Sequence, residues 1–95
     1  MRRGIIYAVP HTVTITDRSA AEESLGDVVE QVNGLPGFVA GYWVAQSANQ
    51  GLAVIVFDSE EAAKGFAEFL RSAPDAGGVR LNRESIGVGQ VLANA

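Results

Sequence analysis

The sequence predicts a small α+β domain in which two helices alternate with four strands in the order βαββαβ. Two segments have apolar residues at helical spacing, and each follows a capping-type motif. Four other segments are rich in β-branched and aromatic residues, and a polar turn joins the second to the third. Composition does not shift along the 95 residues, so we expect a single domain over residues 1–95.

The first strand is predicted to begin near Ile5. Ile5, Tyr7 and Val9 occupy alternate positions, which is the period-two pattern of a strand. Pro10 has no backbone N–H to donate to a strand ladder. We therefore predict that the strand breaks at Pro10 and that residues 11–16 lead towards the first helix.

The first helix is predicted over residues 20–33. Ser19 and Glu22 have the spacing of a capping box, and Gly34 stands where a left-handed C-terminal cap is favoured. The second helix is predicted to start after Asp58, which with Glu61 makes a second capping box, and to end near residue 72. The acidic residues at these helix starts are explained by capping alone.

The second and third strands are predicted to form a hairpin. They cover residues 38–46 and 52–57, and the polar segment 47–51 joins them. The last strand begins with Val79 and Leu81 on one face. Its later apolar residues fall on the opposite parity, which predicts a bulge near residues 83–85.

These elements together predict the ferredoxin-like fold, with an antiparallel sheet and both helices on one of its faces. Strand 52–57 is apolar on both parities, so the second face of the sheet should also be covered. We expect a homodimer through this face, with a monomer as the alternative. The second half of the last strand is expected to cross to the partner and to bury Ile86, Val88 and Leu92 there.

Composition excludes several classes of function. Seven basic against eleven acidic residues give a net charge of -4, so nucleic acid is not an expected partner. The chain has no Cys and one His, which makes a zinc site improbable. The apolar run 52–57 is far shorter than the ~20 residues of a membrane span. We expect a cytoplasmic protein that does not associate with membranes.

Three segments resemble a known family. Residues 35–38 (Leu-Pro-Gly-Phe), 41–43 (Gly-Tyr-Trp) and 54–63 are similar to those of antibiotic-biosynthesis-monooxygenase-like proteins in the dimeric α+β barrel superfamily. The resemblance implies a homodimer joined sheet to sheet, with a small-molecule pocket between helices and sheet. Some members oxidise polycyclic phenols with molecular oxygen and no cofactor, and others bind or degrade haem. Haem-degrading relatives carry their His late in the chain, so no catalytic residue transfers to this sequence.

Five residues are candidates for a site. His11 could act as a general base, because its ordinary pKa near 6.5 suits proton removal at neutral pH. Tyr7, Tyr42 and Trp43 could wall a pocket for a planar ligand, although only one of the adjacent pair can face a given side. Arg83, at the predicted bulge, could be redirected into the pocket. The alternatives are an exposed or capping His, aromatic residues in the core or interface, and a solvated Arg.

The expected function is therefore one of two. The first is a cofactor-independent monooxygenase acting on a planar aromatic or quinol substrate. The second is a non-catalytic dimeric module that binds a small hydrophobic molecule or serves in assembly. Catalysis and internal ligand binding both require that the space between helices and sheet is an open cavity facing His11. A core filled by Phe66, Phe69 and Leu70 would exclude both.

Overall fold

The computed structural model describes residues 4–95 and has the predicted ferredoxin-like architecture. It contains two helices, five strands and one 3₁₀ turn. In chain order these are β1 (Tyr7–Ile15), α1 (Arg18–Asn33), β2 (Phe38–Ala45), β3 (Gln50–Phe57), α2 (Glu60–Ser72), β4 (Val79–Asn82), the 3₁₀ turn (Arg83–Ser85) and β5 (Gly89–Gln90).

The strands form one antiparallel sheet in the order β2-β3-β1-β4, and β5 also pairs with β1. Register places Val9 opposite Ile55 on β3, and Val13 opposite Leu81 on β4. Alternate residues of a strand point to opposite faces, so the odd-numbered residues of β1 and β3 share one face. Both helices lie on that face, because Val32 of α1 and Phe66 of α2 belong to the same buried cluster as Val9.

The densest part of the core lies between α2 and the sheet. Phe57 and Phe66 pack with ring centroids 5.3 Å apart, and Phe38 meets Phe57 edge-on at 6.4 Å. Ala63 and Ala67 present small side chains that let α2 approach the sheet closely. This packing holds α2 against the sheet, whereas α1 is held by other contacts.

The prediction of a break at Pro10 is wrong, since β1 runs continuously from Tyr7 to Ile15. The Pro10 carbonyl accepts a hydrogen bond from the Gly87 amide at 3.2 Å. A strand residue directs its N–H and C=O to the same side, so the missing N–H faces the interval between β4 and β5. The 3₁₀ turn interrupts the hydrogen-bond ladder at this point. No carbonyl of a paired strand therefore needs the N–H that Pro10 lacks.

Both helix caps differ from the predicted ones. Asp17 caps α1 by accepting from the Ala20 amide at 3.1 Å, and Ser59 caps α2 by accepting from the Ala62 amide at 3.1 Å. Both residues have the extended backbone that an N-cap requires. The third correction concerns Gly34, which has φ of -85° and is not a left-handed cap.

The predicted change of phase in the last strand is confirmed, and it takes the form of the 3₁₀ turn that separates β4 from β5. The turn brings Ile86 into the core of its own subunit, where it is 7% exposed, and Val88 packs against the same cluster. The expectation that a partner buries Ile86 is therefore wrong, and Val88 is half-buried by its own subunit. Leu92 is 92% exposed beyond the last strand.

Candidate ligand cavity

A cavity of about 700 Å³ lies between α1 and the sheet. It exists because α1 buries little of its surface: Ala21 and Val32, eleven residues apart, are its buried residues. The half-buried Leu25 and Val28 between them face the cavity. The space is thus open, which is the outcome that favours internal ligand binding over a filled core.

The aromatic residues of α2 divide between the core and the cavity margin. Phe66 is 8% exposed and packs in the core, whereas Phe69 is 59% exposed and stacks on Phe66 at 6.3 Å. Phe69 and Leu70 line the cavity without closing it. Sequence periodicity placed all three in one buried stripe, because it cannot show how far α1 stands from α2.

The N-terminal end of α1 is fixed to the loop before β4. The Gly78 carbonyl accepts hydrogen bonds from the amides of Thr16 and Asp17, and the Ser24 hydroxyl lies 3.0 Å from the Gly77 carbonyl. Gly78 has φ of 78°, and a Cβ there would lie 2.6 Å from the Ala21 nitrogen. Glycine is required at this position both by its conformation and by the close approach of the helix.

His11 lies on the cavity wall with 6% of its surface exposed. Its Nδ1 lies 3.2 Å from the Val9 carbonyl oxygen, which can only accept, so Nδ1 carries the proton and donates. The lone pair is then on Nε2. No described residue forms a hydrogen bond with Nε2. Within residues 4–95, every buried side-chain nitrogen or oxygen atom has a hydrogen-bond partner, so an unbonded Nε2 cannot be fully buried. Nε2 is therefore open to the cavity.

Burial lowers the pKa of His11 from its ordinary value of 6.5, because a charged imidazolium is poorly solvated among apolar side chains. The hydrogen bond to the Val9 carbonyl acts in the opposite direction and is the smaller effect. The imidazole is thus neutral at pH 7 and presents an acceptor in a largely apolar space. This arrangement can receive a hydrogen bond, or a proton, from a ligand hydroxyl.

Trp43 forms the wall of the cavity on β2. Its register partner on β3 is Ala53, whose small side chain leaves room for the indole on the helix-bearing face. The adjacent Tyr42 points to the opposite face and is 62% exposed, so it is not part of this cavity. The structure thereby decides which member of the pair faces the helices.

Two other candidates lie outside the cavity. Tyr7 is on the helix-bearing face but packs against the hydrophobic cluster at the Phe57 end of the sheet. The Arg83 guanidinium donates to the Ala73 carbonyl and lies 3.3 Å from an Asp75 carboxylate oxygen. Arg83 therefore fixes the loop before β4 and is not among the residues that line the cavity.

Comparison with known proteins supports the fold. No protein-family model matches the chain, and no curated protein matches it. Among solved structures, a haem-free crystal structure of a heme-degrading protein from Mycobacterium tuberculosis superimposes with a TM-score of 0.62. It is 15% identical in sequence, and the alignment covers 98% of each chain. The two proteins share a fold.

Residues 4–95 contain no cluster of three or more His, Cys, Asp or Glu side chains that could hold a metal ion. Neither helix is long and apolar enough to cross a membrane.

Sequence patterns did not predict the roof of the cavity. Leu25, Val28 and Leu35 line it from α1 and the segment that follows. In the sequence Leu25 and Val28 belong to an ordinary amphipathic stripe and Leu35 belongs to a predicted turn, and neither pattern predicts a ligand site.

Proposed function

We propose that the cavity binds a planar aromatic molecule that carries a hydroxyl group, and that the protein oxidises such a molecule with dioxygen and no cofactor. The observation that supports this proposal is the neutral imidazole of His11, whose Nε2 opens into an apolar cavity. This activity would place the chain with the antibiotic-biosynthesis-monooxygenase-like proteins that its sequence resembles.

The shape and chemistry of the cavity favour this ligand class. Its volume of about 700 Å³ lies within the usual range for small-molecule sites. Trp43 offers an aromatic surface, and Leu25 and Val28 supply an apolar roof. A planar aromatic ring fits between such surfaces, and a single hydroxyl would satisfy the acceptor on His11.

The proposed reaction balances without an added reductant. His11 takes the proton of the phenol or quinol, and the resulting anion transfers electrons to dioxygen so that a carbon–oxygen bond forms. Loss of water from the hydroperoxide leaves a carbonyl. His11 returns the proton to the peroxide anion, so one oxygen atom enters the product and the other leaves as water with that proton and the hydrogen of the oxidised carbon. The apolar surroundings raise the energy of a bare anion, which favours its prompt reaction with dioxygen.

Oxygen uptake with a panel of anthrones and hydroquinols tests the activity. We expect consumption above the buffer rate, reduced by about 10²-fold or more in His11→Ala, because general-base catalysis commonly contributes that much. His11→Gln is the matched variant, since its amide can accept a hydrogen bond but cannot take up a proton. Rates equal to buffer for the wild-type protein across the panel would refute the oxygenase.

Binding without turnover would identify the non-catalytic alternative. Quenching of Trp43 fluorescence by an aromatic ligand reports occupancy directly, because the chain contains one Trp and it lines the cavity. A wild-type protein that binds the panel but consumes no oxygen is a small-molecule-binding module. A protein that shows neither signal has no ligand of this class.

Haem fits the cavity in one respect and not in another. His11 donates Nδ1–H to a backbone carbonyl and leaves Nε2 free, so it would be the residue to hold the iron of a bound haem. Haem also carries two propionates, and Arg18, the cationic side chain on the lining, is paired with Glu22 at 2.6 Å. Asp27 and Asp75 add further negative charge at the lining. The residues present therefore favour an uncharged ligand.

We also propose that two copies associate through the sheet face opposite the helices. Tyr42 and Val44 on β2 are 62% and 50% exposed, and Leu52 and Val54 on β3 lie beside them. Beyond them on this face, Thr12 and Thr14 of β1 exchange hydrogen bonds with the Asn82 side chain of β4. A second copy related by a two-fold axis would cover apolar strands with the same apolar strands.

Sedimentation velocity tests the association. We expect a dimer at micromolar concentration, and a monomer for Tyr42→Asp, because a carboxylate would be desolvated in the interface. Glu23→Gln on the exposed side of α1 serves as the control and should remain dimeric. A monomeric wild-type protein would refute the dimer and would leave the cavity proposal intact.

A further inference from the structure

Gly41 lies two residues before Trp43 on β2, and the indole of Trp43 extends over it. A Cβ atom built at Gly41 would lie 2.9 Å from Cη2 and 3.0 Å from Cζ3 of Trp43. These are atoms of the six-membered ring. The outer part of the indole therefore rests directly on the Gly41 backbone.

A side chain at position 41 would displace the indole. A Cβ contact under 3.0 Å essentially never occurs, so some group must move. The same Cβ would lie 3.3 Å from Cδ1 of Ile55, which is 1% exposed in the core and has no room to yield. Trp43 borders the cavity, so its ring is the group that can shift, away from the sheet and into the cavity.

We propose that Gly41 is a positioning residue that sets the depth of the cavity by seating Trp43 flat against the sheet. This inference rests on the proposed binding of planar aromatic ligands and adds a size limit to it. With glycine at position 41 the site accepts extended, fused-ring molecules. With a larger residue the tilted indole occupies part of that space and leaves room for smaller rings.

A series of phenolic ligands with one, two and three fused rings tests the size limit by isothermal titration calorimetry. For Gly41→Ala we expect affinity for the three-ring ligand to fall by about tenfold or more. Affinity for the one-ring ligand should remain within about twofold. Gly65→Ala is the matched control, because a Cβ there meets nothing within 4 Å and the site is exposed on α2. It should leave all three affinities unchanged.

A second variant, Trp43→Phe, separates the effect of the contact between the indole and Gly41 from general damage to the fold. A phenyl ring lacks the atoms that overlie Gly41, so Gly41→Ala should cost little ring-size selectivity in the Trp43→Phe background. In the protein that retains Trp43, Gly41→Ala should also shift the emission maximum of the unliganded indole. An equal loss of affinity in both backgrounds, or no shift in emission, would overturn the inference.

The outcomes distinguish this inference from the proposed function. If the wild-type protein binds none of the three ligands, the proposed function fails. If it binds them and Gly41→Ala lowers all affinities equally or none of them, the proposed function stands and the seating of Trp43 by Gly41 is refuted.

Discussion

Replacement of Gly78 by Ala should strongly destabilise the fold, because this glycine joins the loop before β4 to the start of α1. Gly78 has φ of 78°, where a side chain is strained. Its added Cβ would also lie 2.6 Å from the Ala21 nitrogen and nearer still to the Asp17 carbonyl oxygen. Both contacts are with backbone, which cannot rotate away as a side-chain tip can.

The expected magnitude follows from these two effects. A left-handed conformation costs an L-residue about 1 kcal/mol, and overpacking of a closely packed contact costs about 1–3 kcal/mol. We therefore expect the free energy of unfolding to fall by about 2–4 kcal/mol. A domain of this size loses roughly 4–8 °C of Tm per kcal/mol, so Tm should fall by more than about 8 °C.

Gly26→Ala, within α1, is the matched control. A Cβ at Gly26 meets nothing within 4 Å, and the residue has no positive φ. Ala is favoured over Gly in a helix interior by roughly 0.5–1 kcal/mol, so this variant should be more stable than wild type. The same chemical change is thus expected to have opposite signs at two glycines.

Urea and thermal unfolding followed by far-UV circular dichroism measure both variants. We expect Gly78→Ala to be destabilised and Gly26→Ala to be at least as stable as the wild-type protein. A free energy of unfolding for Gly78→Ala within about 0.5 kcal/mol of wild type would refute the role of Gly78, since that is the usual scatter of neutral surface changes. The position of α1 above the cavity would then not depend on the contact between Gly78 and the start of the helix.

Two further predictions concern His11 and Val88. Because burial holds the pKa of His11 below 6.5, the unfolded chain binds more protons in mild acid. The contribution of His11 to stability is complete above about pH 6.5 and falls as the pH is lowered towards the folded-state pKa, by at most about 1.4 kcal/mol per pH unit. His11→Gln should lack this part of the pH dependence in urea titrations, and identical slopes for the two proteins would contradict the buried, neutral imidazole. Val88→Asp should lower the free energy of unfolding by about 1–2 kcal/mol without changing the sedimentation coefficient, because Val88 packs on α2 of its own subunit. Dissociation without loss of stability would instead place Val88 in a subunit interface.

The element order and the layers of the fold followed from the sequence alone. Helical spacing and the polar turn predicted at residues 47–51 were sufficient to predict two helices, the β2–β3 hairpin and the antiparallel sheet. The change of parity after Leu81 likewise predicted the irregularity that the 3₁₀ turn produces. These features are local, because side-chain period and turn chemistry depend on neighbouring residues.

The details that the sequence did not decide depend on contacts between distant segments. Asp17 caps α1 where Ser19 was expected. The Asp17 amide also donates to the carbonyl of Gly78, in the loop before β4. Pro10 stays within a central strand because the partner strand is interrupted opposite it. The residues next to Asp17 and Pro10 in the sequence do not specify the Gly78 contact or the interruption of the neighbouring strand.

The candidate site shows the same division. The sequence singled out His11 and Trp43, and the alternation of strand residues established that only one of Tyr42 and Trp43 could face the helices. Which of the two does so, and the distance at which α1 stands from the sheet, were decided by tertiary structure. An open cavity is set by how far apart two elements lie, and this distance depends on the Gly78 contact at one end of α1 and the burial of Val32 at the other.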